Sequence, residues 1–230
     1  KPAEGRKESG RSCRPQRRNS LSVVFSIDLE TTGLDPNVHG IVEFAAIMAD
    51  THHAFQPRVL HRYLRLEGLV WSEYCLELHA SLIPVILALT KNKDPKVIHP
   101  NDLAYAFERW ITDVGYNETK RNAAVAAKRI TPSGKNFASF DKGFLDKVGC
   151  GSIYRHRTAD PVMLYYNPGK HGDVLPSTDQ CLELAASEGA LLPTTKAAHT
   201  AVEDAWAVLD LLTFKYTGKT CYEVWKHQGA

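Results

Sequence analysis

A short apolar run that ends in two acidic residues constrains this chain more than any other feature of its sequence. Residues 23–27 (VVFSI) are β-branched or aromatic with one exception, so residues 21–28 are predicted to form a buried strand that opens a central sheet. Side chains alternate along a strand, and Asp28 and Glu30 therefore project to the same face. Their like charges would raise each other's pKa unless a hard divalent cation bound both. A surface acidic pair is the ordinary alternative, but the preceding residues are too apolar for an exposed edge.

The rest of the chain predicts a sheet covered by helices. Strands are expected at residues 41–49 and 59–66, and an antiparallel meander is their simplest arrangement. A further strand is expected at residues 123–130. Apolar residues at three- and four-residue steps predict helices at residues 102–114, 140–148, 178–187 and 201–215. Strands first and helices mixed in afterwards predict an α/β domain with a mixed sheet.

Composition limits the classes of protein that remain. Of the 230 residues, 43% are hydrophobic and 23% are charged, which is typical of a single soluble domain. No apolar run approaches the roughly 18 residues that a membrane-spanning helix needs, so no membrane partner is expected. The five cysteines are scattered and form no CxxC pair, which argues against a disulfide framework and against a zinc site. A reducing compartment, the cytoplasm, is the favoured location.

The first 20 residues differ from the remainder in charge. Residues 1–20 contain seven basic and two acidic residues, whereas the rest of the chain is mildly acidic. A disordered N-terminal arm is the ordinary interpretation of this composition. The alternatives are added affinity for nucleic acid through phosphate contacts and an Arg/Ser-rich organelle address.

The segment HTAVEDA predicts a histidine beside the start of a helix. His199 and Asp204 would lie about 140° apart on one continuous helix, so they would not converge easily. Thr200 and Glu203, however, have the spacing of a capping box, which makes Thr200 the N-cap. His199 is then expected in the preceding loop, while the helix holds Asp204 rigidly. A solvated or packed side chain is the ordinary alternative for a histidine, and we keep it for the other nine.

Asp141 lies between two aromatic residues at helical spacing. Phe140 and Phe144 are expected to anchor a short helix, so that Asp141, near its start, faces away from the core. Taken alone, a first-turn aspartate is most often only a favourable charge at a helix N-terminus. A larger combination predicts a metal-dependent enzyme that acts on phosphate, and its members are Asp28, Glu30, Asp141, His199 and Asp204.

Together these segments resemble the DEDDh group of the DnaQ-like 3′-to-5′ exonucleases. The resemblance covers residues 21–218 as one exonuclease domain and leaves a C-terminal tail at residues 219–230. The DxETTGL element of the group is matched without a gap by residues 28–34, and the HxAxxDA element by residues 199–205. The middle motif departs in one respect, because Asn136 lies five residues before Asp141 and many members carry Asn four residues before. A histidine at position 199, rather than a tyrosine, is typical of DEDDh and not of DEDDy enzymes.

The resemblance implies a ribonuclease H-like fold, which is a mixed five-stranded sheet flanked by helices, and two divalent metal ions, Mg²⁺ or Mn²⁺. Asp28 would bridge both ions, and Asp141 would act on the second ion. Glu30 and Asp204 would bind mainly the first. His199 would take a proton from the attacking water, and the products would be nucleoside 5′-monophosphates.

The resemblance also implies contacts with the 3′-terminal nucleotide. The loop backbone at Thr31 and Thr32 would meet this nucleotide, and Leu34 would wedge against its base. Asn136 and Phe144 are the other residues expected to bind substrate. Single-stranded DNA is the favoured substrate, and oligoribonuclease-like trimming of RNA is an alternative because no local motif reports a contact with the 2′-hydroxyl. A DNA polymerase is a further expected partner, and the oligomeric state is left open. Two rival functions are a noncatalytic nucleic-acid-binding module on the same fold and a metal phosphohydrolase acting on small nucleotides.

Overall fold

The protein is described by a computed structural model over residues 23–50, 56–114 and 130–226. Within these residues the strands are β1 (Val23–Thr31), β2 (Ile41–Asp50), β3 (Arg58–Leu64), β4 (Val97–Ile98) and β5 (Pro132–Ser133). They form one mixed sheet in the order β4-β3-β2-β1-β5. The pairs β1–β2 and β2–β3 are antiparallel, whereas β4 and β5 run parallel to their neighbours. This sheet, flanked by helices, confirms the predicted fold class.

The strand predictions differ from the structure mainly at the two short strands. The predicted meander is confirmed by the antiparallel pairing of β1 with β2 and of β2 with β3. β4 contains two residues, which is too short to show a periodic pattern. Most of the strand predicted at residues 123–130 lies outside the described residues. Ile130 forms an isolated parallel bridge with Tyr154, and β5 follows at Pro132–Ser133.

Four helices were predicted, and each has a counterpart in the structure. The described residues contain α1 (Glu73–Leu78), α2 (Leu82–Lys91), α3 (Leu103–Asp113), α4 (Asp141–Lys147), α5 (Val162–Tyr165), α6 (Pro168–His171), α7 (Thr178–Ser187), α8 (Ala201–Thr217) and α9 (Cys221–Lys226). The predicted helices correspond to α3, α4, α7 and α8. Helix α9 falls in the predicted C-terminal tail, yet its Cys221 is buried against α8. The predicted basic arm at residues 1–20 lies outside the described residues.

The two faces of β1 pack against different helices. Phe25, Ile27 and Leu29 belong to a core cluster that contains Phe107 of α3. The alternate residues face α8, where Val24 packs in a second cluster with α8 residues such as Ala205 and Leu209. By the same alternation, Asp28 and Glu30 lie on the α8 face of the sheet. None of the described helices is both long enough and apolar enough to cross a membrane.

Candidate active site

Three carboxylates meet where the end of β1 approaches the start of α8. One carboxylate oxygen from each of Asp28, Glu30 and Asp204 lies within 4.8 Å of the others. Asp28 and Glu30 reach this point because they alternate onto the same face of β1. Glu30 is buried, whereas Asp28 and Asp204 are half-buried. The structure therefore brings together residues that are far apart in the chain, as their sequence patterns predicted.

The N-cap of α8 is the residue that the sequence predicted. Thr200 is the N-cap, and its side chain accepts a hydrogen bond from the backbone N–H of Glu203. The Glu203 carboxylate in turn accepts the Thr200 hydroxyl proton at 2.7 Å. His199 lies in the loop before the helix with φ of 55°, and its side chain is exposed. Asp204 is fixed within the first turn, where its Oδ1 accepts the backbone N–H of Ala198 at 3.1 Å.

Asp141 joins the same cleft from the other side. Asp141 is the first residue of α4 and is 3% exposed. It is therefore more deeply buried than the sequence pattern predicted, which placed it facing away from the core. It nonetheless lines the cleft together with Asp28. The cleft has a volume of about 340 Å³, close to the lower end of the range for ligand pockets. Lys135, Ser177 and other residues of the β5–α4 and α7 regions complete its walls.

Ionisation of this cluster is costly without a cation. Burial raises the pKa of Asp28 well above its ordinary value, and the negative charges of Asp141 and Asp204 raise it further. Burial also raises the pKa of Glu30 to about 8 and that of Asp141 to about 7. The pKa of Asp204 is raised by burial, although the backbone N–H of Ala198 acts in the opposite direction.

The carboxylates therefore suit a hard divalent cation. Carboxylate oxygens are the ligands that Mg²⁺ and Mn²⁺ prefer, and a bound cation would favour the ionised form of each acid. The convergence of Asp28, Glu30 and Asp204, together with the cost of leaving them ionised and unneutralised, fits such an ion. Asp141 is close enough to raise the pKa of Asp28 and can contribute to the same charge balance.

The predicted substrate contacts divide into exposed and enclosed residues. Asn136 lines the cleft, with φ of 58° and its backbone N–H donating to Asp160. Leu34 is 78% exposed and does not line the cleft, so its contact with a terminal base stays a prediction. Phe144 is 2% exposed, and its ring packs against Phe140 in the core. The ring is enclosed by protein, and its contact with the nucleotide stays a prediction.

Thr31 and Thr32 use their polar groups inside the protein. The Thr31 hydroxyl donates to the carbonyl oxygen of Gly33 at 2.8 Å. The Thr32 hydroxyl accepts from the backbone N–H of Gly40 at 3.0 Å, and its own N–H donates to the Gly40 carbonyl at 2.9 Å. These bonds shape the loop after β1. Both threonines are buried and stabilise this loop, and the contact of their backbone with a terminal nucleotide stays a prediction.

Sequence reasoning missed Glu43, which connects the sheet to α8. Glu43 lies directly opposite Glu30 in the β1–β2 register and is 2% exposed. Its carboxylate accepts the backbone N–H of Ala201 at 3.1 Å and lies 2.7 Å from Nε2 of His61. A lone acid in the apolar strand IVEFAAI was a signal that could have revealed it, because a buried carboxylate requires partners.

Sequence reasoning also missed His79, which had been assigned to the ordinary class of histidines. His79 is 2% exposed and follows the last residue of α1. Its Nε2 lies 3.1 Å from the carbonyl oxygen of Thr31 and 3.5 Å from Oε2 of Glu30. Burial lowers the pKa of His79, while the hydrogen bond to Thr31 acts in the opposite direction. No local pattern marks this residue, because Thr31 is 48 positions away in the sequence.

The likeness of this chain to known proteins lies in its fold. No family model and no curated protein matches the sequence. The fold is shared with exonucleases. The chain superposes over 90% of its length on the zinc-bound complex of E. coli exonuclease I with single-stranded DNA, with a TM-score of 0.52 and 17% identity. A second E. coli exonuclease I complex, with a dA16 oligonucleotide, gives a TM-score of 0.51 and 16% identity, again over 90% of the chain.

A different nuclease has the same fold. Cell-death related nuclease 4 (CRN-4) superposes on 84% of the chain, with a TM-score of 0.52 and 13% identity. The chain spans 62% of that protein and only 43% and 42% of the two exonuclease I chains. These superpositions establish a common fold. At such low sequence identity, the activity must be argued from the site itself.

Proposed function

We propose that this chain is a metal-dependent 3′-to-5′ exonuclease that removes nucleotides one at a time from a single strand, with DNA favoured. One observation carries the proposal. The carboxylate oxygens of Asp28, Glu30 and Asp204 converge within 4.8 Å, and exposed His199 lines the same cleft. The substrate class is supported by the likeness to exonuclease I, which was crystallised with single-stranded DNA.

The four acids have a common task in this proposal. Asp28, Glu30, Asp141 and Asp204 would hold two divalent cations, Mg²⁺ or Mn²⁺. When bound, such ions neutralise charge on the scissile phosphate and make the attacking water more acidic. The rigid elements β1, α4 and α8 hold the four carboxylates in place, so little reorganisation is required when substrate binds.

His199 is suited to a different task. It lies outside α8 in an exposed loop, whereas Asp204 is fixed inside the first turn. This arrangement allows the imidazole to approach the attacking water and to accept its proton as a general base. The hydrogen bond from the backbone N–H of Ala198 to the Asp204 carboxylate holds the adjoining loop to the helix. The products would be nucleoside 5′-monophosphates.

Two finer points of the proposal depend on the substrate. The walls of the cleft include polar side chains from Asn136, Ser177 and Thr178, which can contact sugar and phosphate groups. None of these groups is specific for a deoxyribose, so oligoribonuclease-like trimming of RNA is the alternative activity of the same site. Association with a DNA polymerase stays a prediction.

End-labelled strands test the activity and its direction. The full chain is incubated with Mn²⁺ or Mg²⁺ and a single DNA strand labelled at either end. A 5′ label is expected to give a ladder of successively shorter strands, and a 3′ label is expected to give labelled mononucleotide at the first time points. The opposite pattern would show digestion from the 5′ end. A strand that is retarded in a gel but not cut would identify a noncatalytic module, and hydrolysis of free nucleotides alone would identify a small-nucleotide phosphohydrolase.

The same assay on a matched RNA strand determines the sugar preference. Strands of two to five nucleotides are included, since an oligoribonuclease-like enzyme would favour them over long strands. Faster digestion of DNA at equal strand length would support the favoured substrate. Faster digestion of the short RNA would support the alternative.

A further inference from the structure

A buried histidine connects a helix outside the predicted motifs to the candidate metal site. His79 caps the C-terminal end of α1 and is 2% exposed. Its Nε2 faces two oxygens, the backbone carbonyl of Thr31 at 3.1 Å and Oε2 of Glu30 at 3.5 Å. Glu30 is one of the three carboxylates whose oxygens converge at the site. His79 therefore contacts a proposed metal ligand from the protein side.

The hydrogen-bond partners determine which ring nitrogen carries the hydrogen. A backbone carbonyl can only accept, so Nε2 of His79 must be protonated to bond with Thr31. The same Nε2 lies 3.5 Å from Oε2 of Glu30, which is close enough for electrostatic attraction although the hydrogen bond itself goes to Thr31. Nδ1 is buried and has no hydrogen-bond partner among the described residues. Nε2 is therefore the ring nitrogen through which His79 makes its polar contacts, whereas the unpaired Nδ1 carries a desolvation cost.

Two hydrogen bonds fasten helix α1, and with it the imidazole of His79, to the residues that follow Glu30. At the start of α1, the backbone N–H of Ser72 donates to the carbonyl oxygen of Thr32 at 2.8 Å. At the end of the same helix, Nε2–H of His79 donates to the carbonyl oxygen of Thr31, which is the residue before Thr32. The indole of Trp71 meets the His79 ring edge-on, with ring centroids 6.3 Å apart. Helix α1 is thus fastened at both ends to the residues that directly follow Glu30.

We propose that His79 is a positioning residue that orients the Glu30 carboxylate toward Asp28 and Asp204. Its Nε2, held by the bond to Thr31, places the positive end of the N–H dipole 3.5 Å from Oε2 and leaves the other carboxylate oxygen free to bind a cation. Ligand carboxylates in metal sites are commonly oriented by such a second hydrogen-bond partner. This inference rests on the proposed metal-dependent function, and it assigns His79 no direct contact with substrate or metal.

Three substitutions separate this role from simple packing. A glutamine side chain places an N–H near the position of Nε2, whereas an asparagine side chain reaches only to the position of Nδ1. His79→Gln should therefore preserve the polar contact with Glu30, and His79→Asn and His79→Leu should lose it. We expect Mn²⁺ affinity, measured by titration calorimetry on the full chain, to fall about 10- to 100-fold in the Asn and Leu variants. The Gln variant should stay within about threefold of the original protein.

A matched control tests the packing of the same helix. Cys75 is the buried residue of α1, and Cys75→Ala loosens that packing without removing the His79 hydrogen bond. Cys75→Ala is expected to lower the unfolding temperature and to leave Mn²⁺ affinity nearly unchanged. An equal loss of Mn²⁺ affinity in Cys75→Ala and His79→Leu would show that His79 acts by packing alone, and it would overturn the proposal.

A double-mutant cycle tests whether His79 acts through Glu30. If it does, His79→Leu should weaken Mn²⁺ binding strongly in the original protein and by less than about twofold in a Glu30→Gln background. Independent, multiplicative losses would overturn the proposal. Failure of the original protein to bind Mn²⁺ would overturn the proposed function as well. Normal binding by the original protein and by all three His79 variants would overturn only the role of His79.

Discussion

Helix α8 carries two aspartates, six residues apart, that are alike in their hydrogen bonds to the backbone and in the direction of their pKa shifts. Asp204 and Asp210 both accept backbone N–H groups, from Ala198 and from Tyr222 respectively. Burial raises the pKa of both, and that of Asp210 reaches about 7. A raised carboxyl pKa alone would therefore give them the same rank as functional candidates.

The neighbours of the two residues are what distinguish them. Asp204 lies beside Asp28 and Glu30, and one carboxylate oxygen of each of the three residues lies within 4.8 Å of the others. Asp210 has no such group of ligating side chains among the described residues, and its oxygen is directed at the start of α9. It lines a larger, mainly apolar cavity of about 690 Å³. Convergence of several carboxylates, rather than cavity volume or a shifted pKa, therefore identifies the candidate active site.

The strongest test of this contrast is the substitution Asp28→Asn. It should lower turnover of the labelled strand at least about 1,000-fold, since loss of several kcal/mol of electrostatic stabilisation corresponds to a tenfold change for each 1.36 kcal/mol. Without metal, the same substitution should raise the unfolding temperature because it removes a repelling charge from the cluster. Turnover and thermal unfolding in EDTA measure the two effects.

Asp102→Asn is the matched control for that substitution, because Asp102 is exposed and its side chain makes no capping bond to α3. Its turnover and unfolding temperature should match those of the original protein. Full activity of Asp28→Asn would remove the basis for placing a metal-dependent site at this cluster.

The next largest effect is expected for His199→Ala. Loss of a general base typically lowers the rate about 100- to 10,000-fold, and the exposed position of His199 favours the lower end of that range. Mn²⁺ binding should be unchanged, since the imidazole is separate from the converging carboxylates. Single-turnover digestion and calorimetry measure the two quantities. The exposed histidine His156, which does not line the cleft, supplies the control His156→Ala. Equal turnover in the two variants would contradict the assigned role.

A smaller effect is expected for Glu43→Gln, which removes a contact between the sheet and α8. The amide oxygen can still accept the Ala201 N–H, but the N–H₂ group can bond to His61 only where Nε2 of the imidazole carries no hydrogen, and the charge of the Glu43 carboxylate is lost. Turnover should fall about tenfold, and the free energy of unfolding should fall by about 1.5 to 3 kcal/mol. Glu67→Gln, at an exposed position, is the control. Complete loss of Mn²⁺ binding would instead make Glu43 a metal ligand.

Local patterns in the sequence were sufficient for much of this site. The alternation along β1 placed Asp28 and Glu30 on one face, and the Thr200 cap placed His199 before α8. Each of these features depends on residues within six positions of one another. The bounds predicted for α7 are likewise those observed, and in the structure a local capping box of Ser177 and Gln180 forms the start of this helix.

Contacts between distant segments were beyond such patterns. His79 meets Thr31 across 48 positions, and Glu43 meets Ala201 across 158. The depth at which Asp141 is buried was missed for the same reason, because an acidic residue at a helix start can face either solvent or an enclosed cleft until its neighbours are known. Glu43 is the exception, since an acid inside an apolar strand indicates a buried partner.

The smallest effect on turnover is expected for Asp210→Asn, which tests the other half of the comparison. The asparagine carbonyl still accepts the Tyr222 N–H, so turnover should stay within about twofold. Because burial raises the Asp210 pKa to about 7, the folded protein binds this proton more tightly than the unfolded chain, whose carboxyl has a pKa of about 3.9. The resulting stabilisation is complete below about pH 4 and is lost as the pH rises through about 7.

Asp210→Asn should therefore lose less stability between about pH 5 and about pH 8 than the original protein, as measured by urea unfolding in EDTA. Asp28, Glu30 and Asp141 contribute a pH dependence of the same sign, but they are present in both proteins and cancel in the difference. Parallel stability curves would mean that the backbone N–H groups of α9 fully offset the burial of Asp210. In that case α8 would contain one satisfied carboxylate and one that requires a cation, and the contrast between the two would be sharper still.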